Sequence, residues 1–385
     1  MQGSINNSDT KKLHSVRRSI QVAAFAVIGL VAIDALINFL FAYPSDPQVT
    51  KPSSLRLYFE YGRSAEGQLR RMTRQDKSQT APITLTGWYD PLQPLELPSK
   101  AHNSIVTFYG LSHAVKLAYA LGRVSDRFTP RIVGAPSATS NWAYGAYLRD
   151  RGGGKSHVVV LAFSSQTLPW ITSMSPMTFV FDRPMPYTSD RYYIEGNQLR
   201  VMHPPYSSFN GFVQTFYDPV RWSTALSFFA KNDPMYNGFM MRASILDHSS
   251  LFRLVRRAVG QRVLADTGAA VIDKAGFKPG SEQVRVAEAI IHEFAIDARR
   301  DGMIPVIYLV NNLGYSDYLF KALSPVLQAD HVPYLSSHTV VSADNPRGYL
   351  PDSHFTDEVD DKLANALIGV IGREDQLLTG KSGGP

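Results

Sequence analysis

The stretch Ile20–Tyr43, IQVAAFAVIGLVAIDALINFLFAY, constrains this chain before anything else does. Wound as a helix at ~1.5 Å per residue, it is long enough to cross the ~30 Å hydrocarbon core of a bilayer. Everything after it must then fold on one side of that bilayer. The run is too long for the core of a signal peptide. The following LFAYPSDP offers bulky Phe41 and Tyr43 where cleavage needs small residues, so an uncleaved anchor is expected. Lys11, Lys12, Arg17 and Arg18 precede the run and few basic residues follow it closely. That asymmetry places residues 1–19 in the cytoplasm and the chain beyond residue 44 outside, which in a bacterium means a single-pass inner-membrane protein with a periplasmic body. Asp34 and Asn38 are four apart and share one helical face. Such residues are costly in lipid; they either meet a partner in the membrane or lie hydrated near the outer interface.

The rest of the chain can bury a large core, since the 385 residues are 44% hydrophobic and 19% charged. The net charge of +6 comes from scattered Lys and Arg, so no nucleic-acid partner is expected. The absence of cysteine excludes disulfides, thiolate catalysis and Cys-based metal sites together. Residues 44–102 read as a linker, PSDPQVTKPSS, and a basic amphipathic helix, LRLYFEYGRSAEGQLRRMTRQ, close to the membrane or packed on the body. From residue 103 to 372, β and α patterns alternate. Strands are predicted at 104–109, 131–134, 157–163, 303–310 and 332–335, and helices at 112–122, 141–150, 283–301, 316–328 and 357–371. This rhythm predicts a parallel sheet with helices on both faces and functional loops at the C-terminal strand ends. Residues 168–240, rich in Pro, Tyr, Phe and Met, read as an insertion with a hairpin turning at Gly196-Asn197. Residues 373–385 are expected to be a flexible tail.

Three motifs do not survive inspection. GGGKS at 152–156 has Arg149 where a phosphate loop needs Gly, and it precedes its strand. HEFAI at 292–296 has Ile296 in place of the second zinc ligand, leaving His292 as a surface residue. RLVRR at 253–257 reads as a solvated helix face. No cofactor and no metal are expected.

In SIVTFYGLSHAVKLAYAL, residues 104–121, a β-branched run breaks at Gly110-Leu111-Ser112 and helical spacing begins at once. A serine there can be an exposed nucleophile, or simply the cap of its helix. Near the other end, GYLPDSHFTDEVDDKLANALIGVI places Asp352 and His354 on a loop before a helix. Two apart in an extended loop, their side chains point the same way. His354 can then accept the Ser112 proton while Asp352 orients the ring. His113, His338 and Asp344 are rivals for those roles. Trp142, Trp170, Tyr206 and Trp222 are either core or platforms for sugar rings.

These two blocks resemble those of the SGNH, or GDSL-like, hydrolase family over about residues 103–372. FYGLSHA is similar to its first block, with Leu111 where the family has Asp, and PDSHFTDEVDDKLANAL to its last. The resemblance implies an SGNH-like three-layer α/β/α sandwich with a parallel sheet, here preceded by one N-terminal transmembrane helix. It also implies Ser112 as nucleophile, His354 as base and Asp352 as its partner. VGAPSATSN corresponds to the second block, with Ser137 at the usual glycine, and LAFSSQTLP to the third, with Ser165 or Gln166 for the usual asparagine. The implied oxyanion hole is thus Ser112, Ser137 and Ser165 or Gln166. The implied activity is an O-acyl esterase or acyltransferase acting on acetyl esters of an exopolysaccharide or cell-wall glycan. A non-catalytic glycan-binding subunit of a polysaccharide complex and a lipid-directed esterase remain as alternatives.

Overall fold

The computed structural model describes residues 7–45, 47, 49–72, 86–98, 104–151 and 156–379. The apolar run lies in helix α1 (Asn7–Leu40). Its stretch Ser15–Leu40, of mean hydropathy 2.4 and unburied by the rest of the chain, is long and apolar enough to cross a membrane. The expected juxtamembrane helix is instead two short ones, α2 (Ser54–Glu60) and α3 (Ala65–Met72). Long-range contacts break it. Gly62 lies against the backbone of Arg253, where an added Cβ would sit 1.7 Å from the carbonyl oxygen. Ser64 gives its hydroxyl and its N–H to Asp247, at 2.6 and 3.2 Å. The end of the expected helix, residues 73–75, falls outside the described residues.

A short edge strand β1 (Leu95–Glu96) leads into β2 (Ser104–Gly110), α4 (Ser112–Val124), β3 (Phe128–Gly134), α5 (Ser140–Asp150) and β4 (Ser156–Ser164). The glycines at 152–154 lie outside the described residues. The interruption then supplies the hairpin β5 (Arg191–Glu195) and β6 (Gln198–Met202), and helices α6 (Phe209–Phe216) and α7 (Pro219–Asn232), and ends in α8 (Gly238–Met241); α9 (Ser250–Val271) follows it. A small hairpin, β7 (Ile272–Asp273) and β8 (Gly276–Phe277), precedes α10 (Glu282–Arg300), β9 (Ile304–Val310), α11 (Tyr318–Ala329), β10 (Tyr334–Ser336) and α12 (Asp357–Thr379). The expected tail is therefore helical to residue 379.

The main sheet runs β1-β3-β2-β4-β9-β10, parallel except for β1. The chain leaves β2 toward β3 and then crosses back to β4. Right-handed crossovers put α4 and α5 on opposite faces of the sheet. Helix α12 packs on α4, and α10 packs on both α5 and α11, giving the three layers. Central β9 is buried throughout, so its VIYLV core reads as a continuous apolar run. Where the winding reverses, the loops after β2 and β4 part, and a crevice opens at the C-terminal edge.

Two expectations change near α1. Arg253 and Arg256 are buried, not solvated. Arg256 pairs with Asp247, while Arg253 donates to Asn38 Oδ1 and Ser250 Oγ at 3.1 and 2.6 Å. Asp34 and Asn38 meet this chain's own α9: Asp34 Oδ1 accepts from Leu251 N–H and Asn38 Oδ1 from Ser250 Oγ, each at 2.8 Å. Those contacts span more than two hundred residues, which no local pattern reports.

Candidate active site

The end of β2 shapes the first half of the site. Gly110 has φ +156°, and a Cβ there would stand 2.7 Å from Ala162 Cβ and 3.2 Å from Ala114 Cβ. Only glycine lets β2 turn this close to β4. Leu111 is extended and occupies the N-cap, so Ser112 is the first residue of α4 and its hydroxyl is not the cap. That hydroxyl donates instead to His354 Nε2 at 2.6 Å. The N–H groups of Ser112 and His113 precede the first bonds of the helix, which Ala114 and Val115 make to Leu111 O. They point the positive end of α4 toward the crevice.

The second half is a tight loop between β10 and α12. Tyr349 bridges to Phe355, and Leu350 N–H donates to His354 O at 2.7 Å. Ser353 takes a left-handed φ of +68°, so the loop is not extended as the spacing suggested. The turn still brings Asp352 and His354 together. Asp352 Oδ1 accepts from His354 N–H at 3.2 Å, and Oδ2 lies 3.0 Å from Nδ1. This second approach is close but not aligned as a hydrogen bond. The Asp352 side chain is 66% exposed. Its interaction with His354 holds the carboxyl below its ordinary range, so it is ionised at neutral pH.

His113 is no rival to His354 but its support. The two rings stack at 4.9 Å, and His113 Nε2 donates to Ser353 O at 3.3 Å. Burial, helped by the adjacent His354, pushes His113 down to about 4 and keeps it neutral. His338 instead shares a hydrogen bond with Ser336 Oγ at 2.7 Å, and Asp344 is exposed; neither lines the crevice. On the surface, His292 meets Asp330 at 2.8 Å.

Ser137, with φ +53°, adopts the left-handed conformation that a glycine takes easily, and it lines the crevice. The two third-block candidates part company. Ser165 is buried, its hydroxyl donating to Asn312 Oδ1 and accepting from Asn312 N–H at 3.0 and 2.8 Å. It is therefore not available to a ligand. Gln166 is exposed and lines the crevice. Asn312, which sequence reasoning missed, also accepts from Ser164 Oγ and Gln166 N–H at 2.7 and 3.1 Å and so holds this loop. Its signal was the polar pair Asn311-Asn312 ending seven apolar residues. Tyr349 Oη donates to Asn311 O at 3.0 Å, tying the histidine loop to the same strand end.

The crevice has a volume of about 420 Å³. One wall is apolar, with Trp170, Phe179, Phe181 and Leu264; Gln166, Gln261 and Asp182 add polar groups. Trp170 and Phe179 stack at 5.6 Å. Trp170, Phe179, Phe181 and Asp182 belong to the interruption of the α/β rhythm, so that segment builds part of the site, joined by Gln261 and Leu264 from α9. Trp142, Tyr206 and Trp222 are core residues and offer no sugar platform.

No family model matches the sequence, and no curated protein does. A solved structure described as a "putative lipolytic protein of G-D-S-L family from Desulfitobacterium hafniense DCB-2" is similar over 70% of this chain and 99% of its own. Its sequence identity is 11% and its TM-score 0.31. At that distance the likeness adds nothing to the geometry.

Proposed function

We propose that the chain is a membrane-anchored serine O-acyl esterase or acyltransferase whose body lies on the periplasmic side. One observation carries this reading: the Ser112 hydroxyl donates to His354 Nε2 at 2.6 Å at the open C-terminal edge of a parallel sheet. Ser112 Oγ attacks the acyl carbonyl as His354 takes its proton, and His354 then protonates the departing alcohol. Asp352 orients the ring and stabilises the imidazolium. The Ser112 N–H, the Ser137 N–H and the Gln166 amide are the donors for the oxyanion. Water or a sugar hydroxyl, giving its proton to His354, then attacks the acyl-serine; the bond from the acyl carbon to Ser112 Oγ breaks and His354 returns the proton to Oγ.

A glycan ester is the favoured substrate. The Trp170 face beside Gln166 and Gln261 combines a flat apolar surface with groups that bond sugar hydroxyls, while Asp182 is held by Arg257 at 2.9 Å. The Phe179, Phe181 and Leu264 wall favours a second reading, a long acyl chain. Full-length protein in detergent, given 4-nitrophenyl esters from acetyl to octanoyl, tests both. Ser112→Ala and His354→Ala are expected to lose at least ~10³-fold in turnover. Variants that turn over like wild type would refute the proposal. An acetyl optimum supports the glycan ester and an octanoyl optimum the acyl-chain reading.

A further inference from the structure

Exposed apolar side chains gather where α1 meets the body. Helix α2 sits beside the end of α1, with Phe59 stacked on Phe41 at 5.2 Å, and presents Leu55 and Tyr58 outward. The turn before α9 exposes Leu246 and, at 84%, Ile245. Helix α9 itself exposes Val255 and Val259, four and eight residues after Leu251, whose N–H is held by Asp34. None of these residues belongs to the crevice.

The length of α1 says what covers them. Arg18 and Asp34 are sixteen positions apart, ~24 Å along a helix, against a hydrocarbon core of ~30 Å. With Arg17 and Arg18 at one headgroup layer, Asp34 and the start of α9 reach no higher than the acyl boundary of the other. Ile245 and Leu246 lie within six residues of Leu251 and are drawn to the same depth. We propose that the body rests on the bilayer through this collar of Leu55, Tyr58, Ile245, Leu246, Val255 and Val259, with lipid as its partner. The anchor then fixes the body's orientation as well as its location. This rests on the anchored placement proposed above.

The cysteine-free chain allows a direct test. Single variants Ile245→Cys, Val255→Cys, Phe25→Cys in α1 and Tyr119→Cys on α4 are labelled with a nitrobenzoxadiazole fluorophore. Full-length protein is placed in phosphatidylcholine–phosphatidylglycerol vesicles carrying nitroxide lipids or facing aqueous iodide. The collar predicts Ile245 and Val255 probes quenched severalfold more by nitroxide lipid than the Tyr119 probe, and shielded from iodide. Probes there that behave like Tyr119, beside a lipid-buried Phe25, overturn the collar alone. Shielding from both quenchers means a protein covers the face and also overturns it. A Phe25 probe outside lipid overturns anchor and collar together.

Discussion

Replacing Asn312 with alanine probes the support of the site and leaves the Ser112–His354 pair untouched. Its Oδ1 accepts from Ser164 Oγ, Ser165 Oγ and Gln166 N–H at 2.7, 3.0 and 3.1 Å, all beneath the crevice floor. At about 1 kcal/mol net for each bond, the loss is about 3 kcal/mol. The two hydroxyls can rotate toward other acceptors, whereas the Gln166 N–H is fixed by the backbone, so the expected range is about 2–4 kcal/mol. Urea unfolding in detergent should show a lower midpoint with an unchanged slope. Because the Ser165 Oγ–Asn312 Oδ1 bond is lost in both single variants, the double variant with Ser165→Ala should cost about 1 kcal/mol less than the sum of the singles. Turnover should fall with the loosened Gln166 segment. Wild-type stability in Asn312→Ala, or strict additivity with Ser165→Ala, would refute this account of the loop.

Gly110→Ala forces a Cβ against Ala162 and Ala114 at a φ that suits glycine, and should lower stability by about 2–4 kcal/mol, read by thermal unfolding. Asp352→Ala should reduce turnover by roughly 10–100-fold, less than His354→Ala, because the carboxylate is mostly exposed and water can replace it at Nδ1. Asp360, on α12, is pushed up to about 7 by burial, and its Oδ1 has no hydrogen-bond partner among the described residues. A carboxyl with a raised native pKa favours the fold below its unfolded value, and that contribution fades as pH climbs from about 4 to about 7. Asp360→Asn should therefore gain over wild type across that window, reaching about 1–2 kcal/mol at pH 8 once solvent screening is allowed for. Thermal melts at pH 4 and pH 8 check the sign.

The α/β alternation was legible because each strand and helix carries its own periodicity. Strands starting at Ser104 and Ile304, and helices starting at Ser112 and Asp357, fall within a residue of where the pattern puts them. Ser112 was legible for a related reason, since it sits where the apolar pattern of β2 stops, whereas Asp352 and His354 lie within a loop and stood out by their spacing and the resemblance of their block. What escaped depends on contacts distant in sequence. Arg253 and Arg256 look like a wet helix face until Asn38 and Asp247 fold against them. The 55–75 helix breaks because Gly62 and Ser64 meet Arg253 and Asp247. Ser165 and Gln166 looked interchangeable until Asn312 claimed one of them.

The proposed chemistry stands on Ser112 as a nucleophile activated by His354. Treating full-length protein with a fluorophosphonate probe and mapping the adduct by peptide mass spectrometry tests it without assuming a substrate. One adduct is expected, on Ser112, its rate cut at least ~10²-fold in a folded His354→Ala variant. A folded protein that forms no adduct, or forms it at another residue, would contradict it.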